Sequence, residues 1–321
     1  MAICCTIRDL GIKHAITSKI EHHAVLHTLE EMEKQGKIKL SFVKLKKDGH
    51  VDLEHLEELL SITPFDKLRA SPNPSPNGEE NKGERSLVSL MHANNEIGNL
   101  LPIKKVSELC EKHNAIFHSD TVQTMCHYVH DLQQMKVHFI TCSAHKFHGP
   151  KGIGFLYINN KVKIKPLLFG GTQERNMRGG TENVYGIVGL AKAFDIAHRE
   201  MEQHQKHIQG LKSYMIEQLK KNVPDISFNG DSENGLYTVL NVSFPPSDIS
   251  EMLLFKLDIE GIACSGGSAC SSGSEIGSHV LRSINANPER AAVRFSFSKY
   301  NTKPEVDYCI EKLKELFAVK V

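Results

Sequence analysis

A charge excess of either sign is what this sequence most plainly lacks. Its 39 Lys and Arg residues against 38 Asp and Glu leave a net charge of +1. That composition carries no electrostatic footprint for nucleic acid or an anionic membrane. No apolar run approaches the roughly 20 residues a membrane helix needs. The opening Met1-Ala2-Ile3-Cys4-Cys5 gives way at once to Thr6-Ile7-Arg8-Asp9, too short an apolar stretch for a secretory leader. Eight cysteines show neither regular spacing nor a C-x-x-C pair. This argues against a disulfide framework and fits free thiols in a reducing cytoplasm. The 18 histidines are likewise scattered without ligand spacing, which points to no resident metal and to mostly surface roles.

What remains is a globular chain of 321 residues, 40% hydrophobic and 24% charged, enough for one large or two medium domains. The order of elements is legible from periodicity. A short amphipathic helix over residues 1–10 precedes a strand at His14–Ser18. Val25, Leu26, Leu29 and Met32 then recur at helical spacing up to Gly36. A strand from Ile38 to Leu45 leads to a helix capped by Asp52, and strands ending near His92, Asp120 and Thr141 alternate with further helices. This alternation predicts an α/β fold with a mostly parallel sheet over residues 1–203. Two helical stretches, roughly 182–208 and 210–222, lead into a smaller α+β unit over residues 204–321. Residues 66–86, with Pro72, Pro74 and Pro76 among polar and charged neighbours, read as a flexible insertion without chemistry.

Three stretches carry chemistry. Thr141-Cys142-Ser143-Ala144-His145-Lys146-Phe147-His148-Gly149-Pro150 places a lysine at a strand end. Desolvation there lowers an amine toward nucleophilic values and suits a Schiff base, whereas the plainer reading is a solvated loop lysine. Ala115-Ile116-Phe117-His118-Ser119-Asp120 ends a second strand in a carboxylate, with Gln123 three residues on. Asp120 alone reads equally as a turn or cap residue. Paired with Lys146, it suits pyridoxal phosphate: the carboxylate keeps a pyridine nitrogen protonated while the amine holds the aldehyde. The run Gly170 to Thr181, with Arg175 and Arg178, reads either as an anion cradle or as a surface loop. The third stretch is Cys264-Ser265-Gly266-Gly267-Ser268-Ala269-Cys270-Ser271-Ser272-Gly273. Glycines and serines around Cys270 make it the candidate reactive thiol. Cys110, Cys126, Cys142, Cys264 and Cys309 read as packed small hydrophobes.

Together the runs IEHHAV, MHANNEIG, SDTVQ, SAHKFHGPKG, RGGT, SGGSACSS and VRFS resemble the cysteine desulfurases of the NifS/IscS class, within the class V aminotransferases of fold-type I. The resemblance covers essentially the whole chain. It implies that Lys146 binds the cofactor covalently, that Asp120 pairs with the pyridine nitrogen and that Gln123 bonds the ring hydroxyl. Ser143 and His145 would hold the phosphate. His22 would stack on the ring and shuttle protons, while Asn95 and Arg294 orient the substrate carboxylate. Thr181 would reach the phosphate in a second subunit, which implies a homodimer. Cys270 would take sulfur from L-cysteine as a persulfide, leaving alanine, and pass it to an acceptor such as an iron–sulfur scaffold protein; metal would touch it at most as a transient iron–sulfur ligand. The resemblance further implies a segment before Met1 carrying a Gly-Thr phosphate turn. From that follows the expectation that this 321-residue chain binds pyridoxal phosphate weakly. The competing readings are an aminotransferase or selenocysteine lyase of the same family, which would not need Cys270, and a non-enzymatic sulfur or metal scaffold, which would leave Lys146 and Asp120 without a purpose.

Overall fold

A computed structural model describes residues 1–61, 85–266 and 277–317. Of the insertion read at 66–86 only Arg85 and Ser86 are described, and Cys270 lies outside the described residues. Arg85 Nε donates to the Asn114 carbonyl at 2.9 Å, which ties the chain entering the strand Ser86–Ser89 to the residues just before the strand Ile116–Asp120.

The first two-thirds of the chain alternates as expected: α1 (Ala2–Asp9), β1 (His14–Thr17), α2 (His23–Lys34), β2 (Lys39–Phe42), α3 (Leu53–Ser61), β3 (Ser86–Ser89), α4 (Ile103–Lys112), β4 (Ile116–Asp120), β5 (Phe139–Ser143) and β6 (Gly154–Ile158). These six strands form one sheet in the order β2-β1-β3-β4-β5-β6. All neighbours are parallel except β6, which runs antiparallel to β5. Alternate side chains of one strand go to opposite faces. Ala15, Leu87, Ile116 and Phe139 thus meet α1 and α2 in one core, and Ile16, Val88, Phe117 and Ile140 meet α3 and α4 in the other. With both faces covered, β1, β3 and most of β4 are buried throughout.

Polar side chains in these strands pair across the sheet. His14 Nδ1 lies 3.0 Å from Ser86 Oγ and its Nε2 2.9 Å from Ser41 Oγ. His118 Nδ1 lies 2.8 Å from Ser89 Oγ, and burial pushes its imidazole down to about 4. This corrects the reading of the histidines as mostly surface residues: only His27, His145, His148, His198 and His207 are exposed. A neutral imidazole has one donor and one acceptor, so a hydroxyl on each side satisfies it inside a core.

After the single turn α5 (Gln173–Asn176), α6 (Val184–Arg199) and α7 (Met201–Asn222) follow. The break between them falls at Glu200, not near Gln209. Glu200 leaves helical geometry with φ −102° and ψ 8°, and its carboxylate is bound by Arg199 and His204. Gly210 stays inside α7. The boundary drawn at 203/204 therefore lies in the first turn of a continuous helix. Beyond it, β7 (Ser227–Phe228), β8 (Val239–Ser243), α8 (Leu253–Ile259), α9 (His279–Ser283), β9 (Ala292–Ser296) and α10 (Lys303–Phe317) complete the chain. The three strands form an antiparallel sheet in the order β7-β8-β9, whose inner face packs Val242, Phe244 and Val293 against Leu219, Leu257 and Leu313 of the helices.

The two sheets are joined through the loop after β3. Gly98 accepts a backbone bond from Leu236 at 2.7 Å. The Glu96 carbonyl accepts from Asn241 Nδ2 of β8 at 3.1 Å, and Asn99 Oδ1 accepts from the Asp231 amide at 2.7 Å.

Candidate active site

In a parallel sheet the loops leaving the C-terminal ends of the strands gather on one edge, where ligand sites form. Here β1 delivers Glu21 and His22, β3 delivers Met91 and Asn95, β4 ends at Asp120, and β5 runs into Ser143 and the 3₁₀ turn Ala144–Phe147 that carries Lys146. A cavity of about 510 Å³ opens at this edge, walled by His22, Asn95, Asp120, Gln123, Ser143, His145 and Lys146. Arg294 of β9 closes it from the smaller sheet, and Met1 to Ile3 at the start of α1 line it on another side. Nine of the ten site residues proposed from the sequence are described, and eight of them converge on this one cavity.

Local structure explains how they are held. Asp120 turns its Oδ1 back onto the Val122 amide at 2.9 Å, which fixes the carboxylate at the strand end. His22 is the N-cap of α2 and accepts from the Ala24 amide through Nδ1 at 3.2 Å. The end of β5 that leads into the Lys146 turn lies closely on β6: a Cβ at Gly154 would lie 2.1 Å from the Cys142 carbonyl oxygen, so only glycine fits opposite Ser143. Arg294 Nη1 donates to the Asn95 carbonyl at 2.8 Å, and the Arg294 amide donates to Ser265 at 2.6 Å. The arginine is thus locked between the loop that presents Asn95 and the chain that leads toward Cys270.

Electrostatics give the cavity its character. Burial raises the Asp120 carboxyl above its ordinary range, while the Val122 amide, His22 and Lys146 pull it back. Glu21, buried beneath the same edge, is pushed up to about 8, chiefly by desolvation, although Met91 N–H and Ser18 Oγ bond its Oε1. A carboxylate desolvated in this way gains most from a cationic hydrogen-bond donor placed against it. The side chains present therefore fit pyridoxal phosphate: Asp120 suits a protonated ring nitrogen, Lys146 an aldehyde, Gln123 a ring hydroxyl, and Ser143 with His145 a phosphate. The volume lies within the range of small-molecule sites.

Two sequence expectations fall elsewhere. Thr181 is exposed and lines no part of its own chain's cavity. Arg175 and Arg178 do not reach it either, so the anion-cradle reading finds no support within one chain. Cys110, Cys126, Cys142 and Cys309 are buried and Cys264 is half-buried, as their apolar contexts implied. Among the described residues no group of three or more His, Cys, Asp or Glu side chains could hold a metal ion, and no helix is long and apolar enough to cross a membrane. Sequence reasoning overlooked Glu21, His127 and Tyr237. The signal for Glu21 was a carboxylate flanked by Ile20 and a strand, a costly place for a charge without a purpose.

The model of the aminotransferase class-V family matches residues 9–65 and 78–309. Cysteine desulfurase IscS of Dictyoglomus turgidum is 39% identical over 306 residues, covering 95% of this chain and 72% of the relative. A putative cysteine desulfurase IscS 1 of Bacillus subtilis is 38% identical, with 93% and 73% covered. Among solved structures, a NifS-like protein superposes with a TM-score of 0.82 at 34% identity, covering 98% of this chain and 78% of the other.

Proposed function

We propose, from the premise that the chain belongs to the class-V aminotransferase family, that it is a pyridoxal phosphate-dependent cysteine desulfurase. The observation that carries this reading is the convergence of Lys146, Asp120 and Arg294 on one cavity, in a chain 39% identical to a cysteine desulfurase over 95% of its length. When bound, pyridoxal phosphate supplies an aldehyde and a protonated ring that accepts electron density from the substrate Cα.

The chain's own residues do the rest. Lys146 would hold the cofactor's aldehyde, and its amine would move the proton at the substrate Cα. Asp120 keeps the ring nitrogen protonated, its burial making that contact strong. His22, at the N-terminus of α2, would lie against the cofactor ring and assist proton movement. Arg294 offers a guanidinium fork to the substrate carboxylate, with Asn95 beside it. Cys270 attacks the sulfur of L-cysteine as a thiolate. A sulfur–sulfur bond forms, the substrate carbon–sulfur bond breaks with its electron pair going to carbon, and that carbon takes up a proton. L-cysteine and one thiol become alanine and one persulfide, so atoms and electrons balance without an outside oxidant. The persulfide then donates sulfur to an acceptor such as an iron–sulfur scaffold protein.

A homodimer belongs to the same reading. Val184, Tyr185 and Val188 in the N-terminal half of α6 are exposed, as are Leu168 and Phe169 earlier in the chain, and exposed apolar side chains of this size support association. Thr181 lies between Phe169 and Val184 in the chain and would cross to the second subunit's phosphate site.

The test is a pair of proteins loaded with pyridoxal phosphate. The parent shows the visible absorption of a lysine-bound cofactor and releases sulfide from L-cysteine with thiol reductant. Cys270→Ser keeps the absorption and loses sulfide release. Sulfide release at parental rates by Cys270→Ser contradicts the assignment and moves it to Cys264.

A further inference from the structure

The reacting amine of Lys146 stands on a turn that is packed at its ends and open between them. Phe147 is buried and anchors one end, but His145 and Lys146 are exposed and line cavities on both sides. One is the 510 Å³ cavity already described, and the other is a second of about 280 Å³ toward the smaller sheet. Ala144 and Phe147 seat the two ends of the turn in the core, and between them the position of Lys146 also depends on its hydrogen bonds.

One such bond comes from the loop after β4. His127 follows Cys126, whose φ of 63° turns the chain back toward β5. Its Nε2 lies 3.4 Å from the Lys146 carbonyl oxygen, and its Nδ1 lies 2.8 Å from the Tyr237 hydroxyl. The two rings meet edge to face at 5.4 Å. Tyr237 is only 1% exposed, and its neighbour Leu236 is fixed through both its amide and its carbonyl. The Leu236 amide donates to Gly98 at 2.7 Å, and its carbonyl accepts from the buried Lys212 Nζ at 3.0 Å.

We infer that Tyr237 and His127 are a pair of positioning residues that hold the Lys146 turn so that its amine can capture the cofactor. The inference deepens, and rests on, the role given to Lys146 above. The protonation states agree with it. Burial pushes His127 down to about 4 against the opposing pull of the Lys146 carbonyl, so the imidazole is neutral near neutral pH. Burial raises the Tyr237 phenol, which keeps its proton. The Lys146 carbonyl can only accept, so Nε2 carries the imidazole proton, Nδ1 accepts from the Tyr237 O–H, and one tautomer serves both bonds. Because Tyr237 leads into β8, the pair also ties the lysine turn to the sheet that carries Arg294.

The experiment compares the parent with His127→Ala, His127→Gln, Tyr237→Phe and the double variant His127→Ala/Tyr237→Phe. Two quantities are read: the rate at which the lysine-bound pyridoxal phosphate band appears, and the affinity for pyridoxamine phosphate, which lacks the aldehyde and does not need Lys146. His127→Ala and Tyr237→Phe are expected to slow capture roughly two- to tenfold, the size of one net hydrogen bond. His127→Gln, whose amide can donate and accept, restores most of the rate. The double variant is no slower than His127→Ala, since both changes cut one chain of bonds. Pyridoxamine phosphate affinity stays at the parental value throughout. Unchanged capture rates, or an equal loss of pyridoxamine phosphate affinity, would overturn the pairing. Tyr237→Phe keeps the ring and removes only the hydroxyl, so it tests the pairing even if His127→Ala folds poorly. A parent without the lysine-bound band would instead sink the reading of Lys146 itself.

Discussion

The two sheets of this protein contribute to one cavity in different ways. The six-stranded sheet is parallel except at β6, is covered on both faces and carries hydrogen-bonded polar side chains through its interior, such as His118 against Ser89. Its C-terminal edge supplies Asp120, Ser143 and Lys146 from adjacent strands. The three-stranded sheet is antiparallel, packs a largely apolar core with Asn241 of β8 as a buried polar exception, and sends one side chain, Arg294, to the cavity. Under the proposed function, the groups for the cofactor would come from the edge of the large sheet, and the guanidinium for the substrate's carboxylate from the smaller one, with Asn95 reaching it from the loop after β3. That reading divides cofactor binding from most of substrate recognition between two cores, which are joined at Glu96, Gly98 and Asn99.

The largest expected effect tests the edge of the large sheet. Lys146→Ala should abolish the lysine-bound cofactor absorption and reduce turnover on the order of a thousandfold or more, since capture and proton transfer share that amine. A retained band would show that another lysine, Lys151 first, does the work. A smaller effect separates the two sheets. Arg294→Ala removes charge-assisted hydrogen bonds worth about 1.5–3 kcal/mol. Turnover per unit of free L-cysteine should fall roughly ten- to a hundredfold, read as kcat/KM, while the cofactor band stays at the parental level. Loss of the band together with substrate affinity would erase the division of labour.

The smallest effect concerns stability. Glu21 carries a carboxyl raised to about 8 by burial. Between its ordinary value and about pH 8 the folded chain keeps a proton that the unfolded chain releases, so this contribution to stability is present at low pH and is lost as pH rises through that window. Glu21→Gln, which keeps the shape and cannot ionise, should flatten the fall of the urea midpoint between about pH 6 and about pH 8. Asp120, shifted the same way, leaves some slope behind. Parallel midpoint curves for parent and variant would show that Glu21 is ionised in the folded chain.

Much of this arrangement was legible in the sequence because it rests on period and punctuation. Alternating strand and helix patterns implied the parallel sheet, and the residues ending β4 and β5 are the ones at the cavity. Asp52 capping α3 was readable from its place before the helix. What escaped was whatever depends on distant partners. The buried histidines looked like surface residues because their hydroxyl partners, Ser86, Ser41 and Ser89, lie far away in the chain. His127 and Tyr237 are 110 positions apart and meet only after both sheets are in place. The helix break at Glu200 was hidden because Gly210, the stronger local breaker, stays inside α7.

The central claim is that sulfur leaves L-cysteine for Cys270 at a cavity built by Lys146, Asp120 and Arg294. It is tested most directly by one turnover of the pyridoxal phosphate-loaded protein with L-cysteine, without reductant, followed by mass analysis of the peptide around Cys270 and assay of the small-molecule product. The account predicts one added sulfur on Cys270 for each alanine formed. Alanine without sulfur on that peptide, or a keto acid in place of alanine, would contradict it.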